Sequence, residues 1–169
     1  EDARKVISNG ADKVGLNTAA ITDPELVTRI AKVYGSQATV VSIEARKIAK
    51  NKWEAFTESG REPSGVDVAS WVRIAKDLGA GELNVTSVDM DGTLKGPDLD
   101  LIQELRSCTE LPIVFGGGIS SLNDVRDLAR HGADGIQIGT ALHKGLLTIS
   151  QCKRELATNG FDVREIAGT

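Results

Sequence analysis

Several small groups of residues in this 169-residue chain have the types and spacing to hold an anion or move a proton. Phe115-Gly116-Gly117-Gly118-Ile119 is a glycine run in which backbone N–H groups can approach an anion, helped by the dipole of a helix starting near Ser120 or Ser121. A tight turn without a ligand would use the same residues. Gly139-Thr140 lies after the next apolar stretch and could share the same anion, while Asn17-Thr18 offers a second clamp. Two clamps imply a substrate with a phosphate at each end. Glu44 ends the apolar run Ala38–Ile43, the place for a proton-transfer carboxylate or for a solvated rim residue. Thr86-Ser-Val-Asp-Met-Asp-Gly-Thr93 carries Asp89 and Asp91 two residues apart. It lacks the spaced acceptors of a calcium loop, and capping hydrogen bonds suit one of the two aspartates at least as well.

These residues depend on the elements that hold them. Short β-branched runs alternate with amphipathic stretches. The pattern predicts strands at Lys13–Leu16, Ala38–Ile43, Glu82–Val85, Pro112–Phe115 and Gly135–Ile138. Helices are expected over residues 1–9, 23–34, 67–78, 97–106, 121–131 and 148–159, with Asp67 as an N-cap. Residues 45–58 read as a hairpin around Lys50-Asn51-Lys52, and Ser59 to Gly65 as a polar loop. The basic cluster Arg46, Lys47, Lys50 and Lys52 is expected on a solvated hairpin face, and Trp53 and Trp71 in packing roles. Lys13 and Glu82 fall at the amino ends of their strands, opposite to Glu44, where charges pair or face solvent.

Gly10-Ala-Asp-Lys-Val-Gly-Leu-Asn-Thr-Ala19 recurs as Gly132-Ala-Asp-Gly-Ile-Gln-Ile-Gly-Thr-Ala141, with five positions identical at a spacing of 122 residues. So distant a repeat suggests a duplicated half-domain, unless two generic helix-to-strand turns coincide. Five βα units fit either an open doubly wound sheet or part of an eight-stranded barrel. The repeat favours the barrel, its copies falling at strands four and eight. We therefore expect a single domain over residues 1–169, a partial (βα)8 TIM barrel lacking strands one to three.

Composition narrows the partners. With 20 basic and 24 acidic residues the net charge is −4, which gives no footprint for nucleic acid or an anionic membrane. No apolar run approaches the roughly 18 residues of a membrane span. The charged opening Glu1-Asp2-Ala3-Arg4-Lys5 reads as no signal peptide. Cys108 and Cys152, without metal spacing, suit free thiols in a reducing cytoplasm, and His131 and His143 offer no metal pair. Neither metal nor organic cofactor is expected.

Together these residues resemble the cyclase subunit of imidazole glycerol phosphate synthase, HisF. Gly10–Ala20, Phe56-Thr-Glu-Ser-Gly60, Gly79-Ala-Gly-Glu82 and Thr86–Thr93 carry the resemblance, which runs over essentially the whole chain. It implies a barrel running from the third helix onward and ammonia-dependent conversion of a bisphosphorylated aminoimidazole carboxamide ribonucleotide. The products would be imidazole glycerol phosphate and the aminoimidazole carboxamide ribotide. It also implies a glutaminase partner (HisH-like) at the amino-terminal face. Carried over, Asn17 and Thr18 hold one phosphate and Gly117, Gly118, Gly139 and Thr140 the other. Thr86, Asp91 and Gly92 line the mouth; Lys13 and Glu82 match half of a charged ammonia gate, and Asp12 a partner-facing aspartate.

Two features depart from that pattern. The cyclase family works with two aspartates, one on strand one and one on strand five. The first would lie in strands this chain lacks, and the second falls at Glu44. One extra methylene displaces a carboxylate by roughly an ångström, enough to cost on the order of a hundredfold in rate. Gly117-Gly-Ile-Ser-Ser121 and Gly135–Gly145 look more like HisA, the isomerase that opens a sugar ring without ammonia. HisF-like paralogues serving amidotransferases, and a non-catalytic phosphate-binding partial barrel, also fit these residues. Unpaired strands at Lys13–Leu16 and Gly135–Ile138 would favour self-association.

Overall fold

We describe the fold from a computed structural model, in which residues 1–164 are described. The last five residues of the expected domain, 165–169, therefore lie outside the described residues. Seven strands form one sheet: β1 (Val14–Leu16), β2 (Thr39–Ala49), β3 (Lys52–Thr57), β4 (Glu62–Asp67), β5 (Glu82–Ser87), β6 (Ile113–Gly116) and β7 (Gly135–Gln137). Around them run α1 (Asp2–Ser8), α2 (Thr18–Thr22), α3 (Glu25–Tyr34), α4 (Val68–Asp77), α5 (Leu99–Cys108), α6 (Leu122–Arg130), α7 (Thr140–His143) and α8 (Ile149–Thr158).

The parallel strands pair in chain order, β1 with β2, β2 with β5, β5 with β6, and β6 with β7. A doubly wound sheet reverses its order at a switch point, and this one does not. The order is that of a barrel wall, consistent with a partial TIM-barrel-like fold. Among the described residues β1 and β7 each have one neighbour, so both are open edges.

Alternation along the strands creates two unlike faces. One carries Val41 and Ile43 of β2, Leu83 and Val85 of β5, and Ile113 and Phe115 of β6, all buried. They belong to one apolar core with α4 (Trp71, Val72, Ala75), α5 (Leu101, Ile102, Leu105) and α6 (Val125, Leu128), residues at helical spacing. Each such side chain contributes about 1.5–3 kcal/mol on full burial, and Phe115→Ala is expected to cost about 3–5 kcal/mol. The other face carries Ser42, Asn84 and Val114 and, one layer up, Glu44, Thr86, Gly116 and Gln137. The helix starts are fixed locally. Asp67 and Asp98 accept from Ser70 N and Leu101 N, and Ser121/Asp124 and Thr148/Gln151 form capping boxes.

Three expectations need correction. Glu44 does not end its strand: β2 continues to Ala49, leaving the parallel sheet after Ala45 to pair with β3 as the hairpin's first strand. The polar loop expected from Ser59 to Gly65 is instead occupied in part by the edge strand β4, antiparallel to β3. Pro63 is tolerated there because it sits at an irregularity of an edge strand, opposite Phe56. Side chains supplement the ladder: Ser64 Oγ donates to the Ala55 carbonyl and accepts from Val66 N, and Glu54 accepts from Gly65 N at 2.6 Å. Nor is the basic hairpin face simply solvated. Arg46 stacks 4.5 Å over the Phe56 ring, and Lys47 Nζ stands 5.1 Å from the Trp53 ring.

The internal repeat is realised in backbone geometry. Gly10 and Gly132 have φ of 98° and 97°, and Ala11 N and Ala133 N bond back to Val6 and Leu128 carbonyls. This turn alone is generic, since Gly79-Ala80 repeats it. The strand exits are more particular. Asn17 (φ −116°, ψ −97°) and Gly139 (φ −107°, ψ −84°) share an unusual conformation, and each starts a short helix, α2 or α7, before the longer α3 or α8.

Candidate functional site

At the carboxyl ends of the parallel strands one ladder row runs Glu44–Thr86–Gly116–Gln137, across β2, β5, β6 and β7. It lies beneath a cavity of about 380 Å³. Asp91, Gly92 and Leu94 line it from the β5–α5 loop, Gly117 to Ile119 from the β6–α6 loop, and Gly139, Thr140 and His143 from the exit of β7. Glu44, Thr86, Asp91, Gly92, Gly117, Gly118, Gly139 and Thr140 are thus brought together from four separate segments.

The other expected residues do not line this cavity, although the Asn17 amide reaches the Glu44 carboxyl. Thr18 Oγ1 accepts a hydrogen bond from Glu58 N at 3.1 Å, and Asn17 Oδ1 is buried without a partner. Lys13 and Glu82 form an ion pair at 2.5 Å, beside the exposed Asp12, at the opposite ends of the strands. Gly116 and Ile119 of the expected glycine run also line the cavity, as do Leu94, Gln137 and His143, which were not expected. The signal for Gln137 was available in Gly135-Ile136-Gln137-Ile138, where alternation puts a polar side chain on the face opposite Ile136.

The glycines serve different ends. A β-carbon on Gly117 would stand 2.7 Å from the Ser87 carbonyl oxygen, and one on Gly118 would overlap the Gly96 carbonyl. Both have positive φ, 108° and 83°, so their glycine character follows from packing and backbone alone. A β-carbon on Gly139 would meet nothing within 4 Å, at an ordinary φ of −107°. Packing makes no demand for glycine there, and its φ and ψ fall in the same sparsely populated region as those of Asn17.

Burial raises the Glu44 carboxyl above the usual carboxylate range; the Asn17 amide, Gly60 backbone and Arg61 oppose the rise, and the negative charge of Asp91 adds to it. Burial prevails because Glu44 Oε2 is shielded from solvent. A carboxyl so placed can hold a proton and release it to a base. Among the described residues lining the cavity there is no Lys or Arg, so His143 is the one side chain there able to carry positive charge. Of the two loop aspartates, Asp89 is committed to structure: it accepts from Lys47 N at 2.6 Å and lies 3.9 Å from Arg46 Nε.

The family model for histidine biosynthesis proteins matches residues 1–148. This chain belongs to the histidine biosynthesis protein family. The HisA/HisF family comprises isomerases and cyclases of that pathway, and the strand order is consistent with such a barrel. The match extends from α1 through α7, so it includes every strand and loop that lines the cavity. In this family member, no group of three or more His, Cys, Asp or Glu among the described residues is arranged to hold a metal ion. No helix among them is long and apolar enough to cross a membrane.

Proposed function

We propose that this chain is the HisF-type member of the family, the cyclase component of imidazole glycerol phosphate synthase. It would act on a bisphosphorylated aminoimidazole carboxamide ribonucleotide with ammonia, forming imidazole glycerol phosphate and releasing the aminoimidazole carboxamide ribotide. The observation that carries the choice is the Lys13–Glu82 pair. Glu82 and Thr86 lie on the same face of β5, four residues apart, or about 13 Å at strand rise. A charged pair at the far end of the substrate face suits a protein fed ammonia from its amino side. An isomerase that only opens a sugar ring takes in no ammonia, so its chemistry does not call for such a pair.

In this reading one phosphate sits at Gly117, Gly118, Gly139 and Thr140, and Thr86 and Gly92 position the substrate's middle. Asn17 and Thr18 serve the second phosphate once the ligand displaces the Glu58 contact. Glu44 moves the proton during ammonia incorporation and ring closure, with Asp91 as the nearby second carboxylate. Asp12, Lys13 and Glu82 face a glutaminase subunit. The open edges β1 and β7 are where further strands complete the barrel wall; a second copy of the chain is one source, which sedimentation velocity would report as a dimer.

Turnover separates the readings. Incubation with the bisphosphorylated cyclase substrate and an ammonium salt is expected to release the aminoimidazole carboxamide ribotide only when ammonium is present. Ammonia-independent conversion of the isomerase's substrate would instead support the HisA reading. Saturable binding without either reaction would leave a phosphate-binding partial barrel.

A further inference from the structure

We infer that Gln137 determines specificity by reading a hydroxyl on the carbon chain next to the bound phosphate. The inference rests on the phosphate reading above and extends it to a residue outside the glycine loops. Gln137 stands directly opposite Gly116, in the ladder row that also holds Thr86 and Glu44. Gly116 is the last residue of β6 and leads directly into the Gly117-Gly118 turn, and two residues beyond Gln137 comes Gly139-Thr140. Its side chain therefore rises from the cavity floor between the two loops assigned to the phosphate. Whatever is attached to that phosphate and extends toward Glu44 must pass over it.

Gly116 makes the room. A β-carbon at position 116 would stand 3.1 Å from Gln137 Cβ and 3.5 Å from Oε1, so the glutamine side chain lies along space that a larger residue would fill. Gln137 is exposed and lines the cavity. A carboxamide presents two N–H donors and a carbonyl acceptor, and a hydroxyl both gives and takes a hydrogen bond. The pair matches without adding charge to a cavity that already holds the carboxylates of Glu44 and Asp91. The corresponding residue in the first repeat copy is Gly15, without a side chain, so the carboxamide is a feature of one corner only.

The test uses three small probes, inorganic phosphate, glycerol phosphate and propyl phosphate, titrated by NMR into the parent protein and Gln137→Leu. The parent should bind glycerol phosphate roughly tenfold tighter than propyl phosphate, as expected for one net hydrogen bond plus an unmet donor. Gln137→Leu should reduce that preference to about twofold or less, with inorganic phosphate affinity changed by no more than about twofold. A Gln137→Leu protein that keeps the parent's preference overturns the inference while leaving the phosphate reading intact. Equal parent affinity for the two esters overturns it without any variant. Failure of the parent to bind inorganic phosphate overturns the phosphate reading itself, and this inference with it.

Discussion

Gly60 lies against the carboxylate of Glu44, so that a β-carbon at position 60 would stand 3.4 Å from Oε2 and 3.1 Å from a Val88 methyl. The contact spans two elements: Glu44 is on β2, and Gly60 is in the turn between β3 and β4. Glu58, Ser59 and Gly60 all have positive φ, and this left-handed run folds the turn down onto the carboxylate. The turn is what shields Glu44.

The first consequence concerns acid–base behaviour. Because Glu44 takes up its proton more readily in the folded protein than when unfolded, the native state holds the extra proton between the ordinary carboxylate value and the raised one. Stability therefore falls as pH rises through that window and stays lower above it. Glu44→Gln is expected to melt above the parent at neutral pH, with the difference vanishing below the ordinary carboxylate range. Denaturant midpoints measured across pH check this, and a variant no more stable than the parent at neutral pH would contradict it.

Gly60→Ala tests the shield itself. Its φ of +75° and the tight Val88 contact make a side chain unfavourable, at a cost of about 1–2 kcal/mol. The midpoint should drop by a few degrees in a thermal melt. A variant as stable as the parent would mean that the turn does not pack on Glu44.

Arg106 supports a second prediction about architecture. Its guanidinium bonds the Gly132 carbonyl at 2.6 Å, the Leu111 carbonyl at 2.8 Å and the Asp134 carboxylate, which itself accepts from Ile113 N at 2.8 Å. One side chain thus ties α5 to the starts of β6 and β7. Arg106→Ala should cost about 2–3 kcal/mol. Arg106→Lys should cost nearly as much, since an ammonium cannot reproduce the planar fork. Hydrogen exchange at Ile113 N should quicken in both variants; unchanged protection would rule out this role.

The Lys13–Glu82 pair should matter little to folding. Their side chains are 48% and 19% exposed, so a double-mutant cycle is expected to give a coupling below about 1 kcal/mol, shrinking with added salt. Under the cyclase reading, neutralising either residue should lower ammonia-dependent turnover more than stability. A larger effect on melting than on turnover would make the pair a structural strut.

Much of this arrangement was legible in the residue order. Strong periodicity placed the five parallel strands and the longer helices, Asp67 announced its cap, and a helix start was expected near Ser120 or Ser121. The short helices α2 and α7 were not foreseeable, because four or five residues are too few to display a helical period. The sequence Glu62-Pro-Ser-Gly-Val-Asp67 has the composition of a loop, and only pairing with β3 and the bonds from Ser64 and Glu54 make it a strand. Residues such as Glu44, Asp91 and Thr140 could be nominated by type and position. That Gly60 would cover Glu44, and Gln137 share its ladder row, depends on register and turn geometry, which are properties of paired segments rather than of any one of them.

β2 runs unbroken from Thr39 to Ala49, its first half within the parallel sheet and its second half in the hairpin. One strand therefore serves two structures. The hairpin leaves the parallel sheet without a break at Ala45, the irregularity in its pairing lies further out between Lys47 and Ala49, and Lys47 N is pinned to Asp89. The strand that carries Glu44 is also the strand that carries the hairpin, so the carboxylate's place in the ladder row and the hairpin's place on the sheet are set together.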